Sequence, residues 1–181
     1  MAIKNQTFTQ HLHLIGACSI SREWAGDKTA KQAWDECPYA NWLLWWSAKD
    51  GADKWAIVLV ACEIARTAVH LAKSQVALRA IEAAEKLAND PTDDNLEACR
   101  AACIVARHTA ADDDNNATYA AYAAAYAATY VADYDDDDDA TYVAYATYAA
   151  YYAAAARSSS HADSCAIIRR MLKQPWQESE S

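Results

Sequence analysis

Glycine and proline are scarce, three of each in 181 residues, and phenylalanine occurs once. All-β folds need many turn residues, and doubly wound sheets need strand runs with glycine-bearing crossovers, so neither is expected. Long apolar runs are missing too. The most apolar stretch, residues 55–62, is too short to span a bilayer and is soon followed by Glu63 and Arg66. The first ten residues are polar and lack the apolar segment of a signal peptide. A cytoplasmic protein with no membrane partner is the expectation. Positive charge is absent from one whole region: residues 108–156 contain no Lys or Arg, where about four would follow from the chain's 16.

What is present is alanine, 44 residues of it, and helix is the state that alanine favours. The pattern predicts an all-α, single-domain bundle of about six to eight helices ending in an Ala/Tyr-rich helical hairpin. Thr29 and Gln32 form a T-x-x-Q capping box for a short helix that must stop near Pro38. A second helix carries Trp42, Leu43, Leu44, Trp45 and Trp46 and is closed by Gly51. Asp53 caps a long apolar helix reaching Lys73, expected to be central. Ser74 opens the next, with Ile81, Ala84 and Leu87 inward, and residues 89–91 break it. Thr92 caps another, whose Asp93, Asp94 and Glu97 suit the positive end of the helix dipole. Six tryptophans within residues 24–55 promise a bulky core, with one of the adjacent pair Trp45 and Trp46 left outside as a contact anchor.

Composition divides the chain into residues 1–107, a Trp-rich helical core, and 108–181, an acidic Ala/Tyr/Asp-rich hairpin with a C-terminal helix, packed together as one domain. Ten of the 11 tyrosines lie between Tyr119 and Tyr152. Nine aspartates (Asp112, Asp113, Asp114, Asp133, Asp135, Asp136, Asp137, Asp138 and Asp139) lie in the second part; without them 16 acids face 16 bases, so the net charge of -9 belongs to this segment. Tyr119, Tyr122, Tyr126, Tyr130 and Tyr134 recur every three or four residues and so share one helix face. Tyr142, Tyr145, Tyr148 and Tyr151 recur every third residue and wrap around theirs. Helices over 117–133 and 140–156 follow, with the two Asp runs at opposite ends about 24 Å apart. The expected picture is a stiff, tyrosine-studded acidic rod appended to a neutral helical body.

The motifs Glu23-Trp24, residues 33–37 (AWDEC), 41–45 (NWLLW), 61–66 (ACEIAR), 80–85 (AIEAAE) and 165–169 (CAIIR) resemble a family of immunity proteins (Imm-5-like) of bacteria and phages. That resemblance implies a protein that neutralises another protein. Together with the charge it points to a non-enzymatic acidic inhibitor, an immunity or phage counter-defence factor or a nucleic-acid mimic, whose partner is a toxin or host defence protein with a basic surface. Direct nucleic-acid binding is not expected of so acidic a chain. The candidate partner-binding residues are the nine aspartates with Tyr130, Tyr134 and Tyr142. The alternatives are a small-molecule-binding or sequestering module on the Trp, Arg and Glu helices, and a structural protein that self-associates through its tyrosine stripes.

No catalytic or cofactor motif is present, and no metal is expected. Cys99, Cys103 and His108 do not complete a zinc set. Asp112, Asp114 and Asn116 match the first calcium-loop positions, but Ala117 and Ala123 replace the required Gly and Glu. The six cysteines are read as buried free thiols. Glu63 with Arg66 and Arg79 with Glu82 stand three apart and are read as interhelical ion-pair formers.

Overall fold

The computed structural model describes residues 7–113, 115–133, 141–156 and 161–172, with Asp113 and His161 by backbone alone. Thr7 and Gln10 exchange two hydrogen bonds, Gln10 N donating to Thr7 Oγ1 (3.3 Å) and Thr7 N to Gln10 Oε1 (3.0 Å), and open α1 (Phe8–Leu14). A turn through Gly16, at φ +82°, leads to α2 (Ser19–Ala25). The expected capping box at Thr29 and Gln32 opens α3 (Ala30–Glu36). After Pro38 comes α4 (Ala40–Lys49), followed by Gly51 at φ +85°, a value only glycine adopts without strain. Asp53 Oδ2 accepts the amide of Ala56 (3.1 Å) to begin α5 (Lys54–Ala68), which ends in a single 3-10 turn, Val69–Leu71. Then follow α6 (Val76–Asn89), α7 (Asp93–Asp113), α8 (Asn116–Asp133), α9 (Thr141–Ala155) and α10 (His161–Met171).

Ten α-helices stand among the described residues, where six to eight were expected. The difference lies at the two ends of the chain. Two seven-residue helices occupy the N-terminal segment, and α10 is an element separate from α9. The compositional break at Arg107 falls inside α7, which carries the chain from one composition into the other without interruption. None of the helices among the described residues is long and apolar enough to cross a membrane.

The helical hairpin forms where expected, but it is no appendage. Helix α8 packs against α5, α6, α7 and α9 and so runs through the middle of the bundle. Between Ala120 and Ala128 every residue but Tyr122 and Tyr126 is an alanine exposed by 2% or less. Alanine explains the placement. Its lone methyl lets neighbouring backbones come to the short end of the usual ~8–10 Å separation, and burying it freezes no rotamer. A helix that could offer no large apolar face is thereby enclosed on several sides at once. The larger side chains fill the layers around it: Ile57, Val58 and Ile64 on α5, Ile81 and Leu87 on α6, and Ile168 on α10 are all fully buried.

The ion pairs tie helices to one another. Arg66 on α5 meets Glu85 on α6 through both carboxylate oxygens (2.7 and 2.5 Å). Glu63 on α5 pairs with Arg170 on α10 (2.8 Å). Arg169 donates to the carbonyls of Trp34 (2.8 Å) and Cys37 (2.6 Å), clamping α10 to the end of α3.

Candidate functional site

Two surfaces are built from side chains whose kind and placement packing alone does not require. The first is the outer side of the α8/α9 hairpin. The helices run antiparallel, so Tyr119 stacks on Tyr152 (centroids 5.1 Å apart, 23° between planes) while Tyr126 meets Tyr145 at 4.3 Å. Tyr122 joins through Tyr126 (5.7 Å), Tyr130 and Tyr148 through Tyr145 (6.4 and 6.1 Å), and Tyr151 through Tyr152 (5.3 Å), while Tyr148 meets Tyr152 at 6.5 Å and links the two groups. Eight rings thus form one connected sheet extending about 16 Å along the hairpin at the rise of an α-helix. Tyr148 and Tyr151 are 51% and 59% exposed, and the other six are half-buried. Burial raises the phenol pKa of Tyr122, and burial with the neighbouring Tyr126 raises that of Tyr145, so both rings stay neutral at physiological pH.

The residues expected to carry partner binding divide accordingly. Tyr130 belongs to this sheet. Tyr142 packs half-buried against the core instead. Asp112 is exposed at the end of α7. Asp133 is engaged by the molecule itself: the guanidinium of Arg100 on α7 pairs with its carboxylate and also lies 3.9 Å from Glu97. Asp133 is therefore a helix-to-helix tie and not a free docking group. The side chain of Asp113, and all of Asp114, Tyr134, Asp135, Asp136, Asp137, Asp138 and Asp139, lie outside the described residues, and with them the expected 24 Å spacing of the two acidic runs. The aromatic sheet was foreshadowed by the tyrosine periodicity on α8. Its continuation onto α9 was hidden by the spacing of three, because Tyr152 is the ring that meets Tyr119.

The second surface is a cavity of about 430 Å³ between α1, α2, α3, α4 and α9. Trp24, Trp42, Trp45 and Trp46 line it, together with Phe8 and Val143. Its walls are held edge to face: Trp24 against Trp42 at 5.8 Å and 64°, and Trp34 against Trp46 at 5.4 Å and 76°. Asp50, just past α4, accepts a hydrogen bond from the indole of Trp46 and lies 2.8 Å from His11 Nε2, which locks α1 to α4. The adjacent pair separates as geometry demands: Trp46 is buried and Trp45 stands half-exposed in the cavity wall. Besides the indole N–H groups, the polar side chains on the lining are Cys18, Ser21, Cys37, Asn41 and Thr147. Periodicity does not point to such a cavity, because its walls come from five helices.

All six cysteines are free, and five are buried. Cys18 is the exposed one, and the hydroxyl of Ser21 beside it (3.3 Å) lowers its pKa. One thiol in six is therefore expected to react rapidly with a disulfide reagent in the native protein, and Ser21→Ala should slow it. Two or more thiols reacting at the same rate before denaturation would contradict this assignment. Among the described residues no group of three or more His, Cys, Asp or Glu side chains gathers as a metal site.

Against protein-family models, curated proteins and solved structures alike, the chain shows no match.

Proposed function

We propose that the chain is a binding protein that neutralises another protein, and that it docks through the tyrosine face of α8 and α9. The observation that carries this reading is the connected sheet of eight rings, two of them more than half exposed. Tyrosine supplies rigid amphipathic contact area at a low entropy cost, which suits it to interfaces. The surrounding segment supplies the electrostatics. With no Lys or Arg in residues 108–156 and an excess of aspartate, it attracts a partner of basic surface and repels a second copy of itself. In this reading the chain is a binder and not a catalyst.

The test is a photo-crosslinking residue placed at Tyr151 and, on a different helix, at Ile104. A basic protein captured from Tyr151 and not from Ile104 is the expected product. Tyr148→Ser with Tyr151→Ser should weaken that pair by tenfold or more, as the loss of interface anchors does. Exchanging the aspartates at 135–139 for asparagine should slow association and flatten its salt dependence, with little change in dissociation. Equal capture from both positions, cross-linking of the chain to itself, or unchanged affinity in the tyrosine variant would overturn the reading.

A further inference from the structure

We infer that the tryptophan-walled cavity is a binding site for an uncharged, ring-bearing small molecule with one hydrogen-bonding group. Its volume, about 430 Å³, lies within the range of small-molecule sites. None of the side chains on its lining carries a charge. An anionic or cationic group moved there from water would lose its hydration without gaining a counter-ion. Aromatic walls alone could still hold a cation through their ring faces. The face of Trp24 is already engaged in this way, with the ammonium of Lys28 4.9 Å from the ring centre and donating to the Trp24 carbonyl (3.1 Å). A neutral ring suits what remains, namely indole faces and edges that offer stacking and edge-to-face contact.

Specificity for a polar substituent comes from few groups. The hydroxyl of Thr147 donates to the carbonyl of Ala144 (2.7 Å), and that of Ser21 to the carbonyl of Cys18 (2.9 Å). The exposed amide of Asn41, which makes no hydrogen bond to the described residues, is a group that can address a ligand's hydroxyl or carbonyl, beside the indole N–H groups of Trp24, Trp42 and Trp45. The loop on one side is shaped for access. Gly16 contributes to the lining with nothing within 4 Å of where a side chain would begin, and exposed Leu14 (68%) and Ile20 (67%) flank the loop. None of the eight sheet tyrosines lines the cavity, although Ala144 and Thr147 stand on α9 one turn before Tyr148 and Tyr151.

The experiment uses the full chain and three probes of one shape: 2-naphthol, 2-naphthoate and 2-naphthylmethylammonium, titrated by calorimetry. One equivalent of 2-naphthol should bind, and each charged probe at least tenfold more weakly. Ala144→Phe fills the cavity from an exposed helix position, so the fold is retained and circular dichroism checks it. It should weaken 2-naphthol at least tenfold. Asn41→Leu should narrow the difference between 2-naphthol and naphthalene. Equal binding of the three probes, or 2-naphthol binding that Ala144→Phe leaves unchanged, would overturn the inference, as would no binding up to 1 mM, roughly the weakest affinity worth calling a site. A dimer that Ala144→Phe dissolves would assign the cavity to a second copy and overturn it equally.

Discussion

Between pH 8 and pH 10 the protein is expected to lose a large part of its stability without any change of temperature or denaturant. Burial pushes the thiols of Cys99 up to about 12, and of Cys103 and Cys165 up to about 11, from an ordinary value of 9.0. Burial raises Cys62 further still, and Cys37 in the same direction. In the unfolded chain these groups release their protons from about pH 9 upward, while the folded chain keeps them. The unfolded state then binds fewer protons than the native one, so stability is complete below pH 9 and falls as pH rises toward 11 and 12. At pH 10 each thiol raised this far contributes a loss somewhat above ~1 kcal/mol, and the four raised most, Cys62, Cys99, Cys103 and Cys165, together roughly 5 kcal/mol. A domain of this size has only about 5–15 kcal/mol to lose. Tyr122 and Tyr145, also held above their ordinary value, add to the loss above pH 10. Guanidinium unfolding at pH 8, 9 and 10 measures it directly. The midpoint should fall steeply between the last two, and Cys99→Ala should make the fall shallower by about a quarter of that four-thiol sum. A midpoint unchanged to pH 10 would mean that the thiols are not buried as the fold places them.

The same cysteines illustrate what could be read before the fold was seen. Free, buried thiols follow from their alanine and isoleucine neighbours, and the helix starts at Thr29, Asp53 and Thr92 follow from capping chemistry that acts over three residues. The hairpin helices over 117–133 and 140–156 stand within a residue of the observed Asn116–Asp133 and Thr141–Ala155. Helix α1 is equally legible, because Thr7 and Gln10 repeat the T-x-x-Q signal of Thr29 and Gln32. The place of α8 was not legible at all. Its alanines signal propensity, and propensity is local; which helix ends in the middle depends on how closely several others can approach, a property of the assembled bundle. The fate of Asp133 was hidden for the same reason. It lies 33 residues from Arg100, and only the packing of α7 on α8 brings the two together. The tryptophan cavity is a third case, since Trp24, Trp46 and Val143 become neighbours only in the fold.

The central position of α8 carries the second large effect. Ala124 is fully buried, and apart from the two tyrosines its neighbours from 120 to 128 are alanines enclosed by four other helices. A leucine at 124 adds three carbons at a position with no exposed surface, so either a neighbouring helix moves outward or the new side chain leaves its rotamer minimum. Each route lies at the upper end of overpacking penalties, about 3 kcal/mol. The identical exchange at Ala98, exposed on α7, should stay within about 0.5 kcal/mol. Chemical denaturation of the two variants beside the parent chain gives the comparison, and the contrast carries the meaning. If α8 were an appended rod, with alanines facing solvent, leucine at 124 would be as harmless as leucine at 98. A cost confined to 124 requires that the chain's smallest apolar side chains sit at the centre of its bundle, and that the tyrosine face stands on the rigid middle of the molecule. A surface so mounted meets a partner without first being ordered, which keeps the entropy cost of docking low.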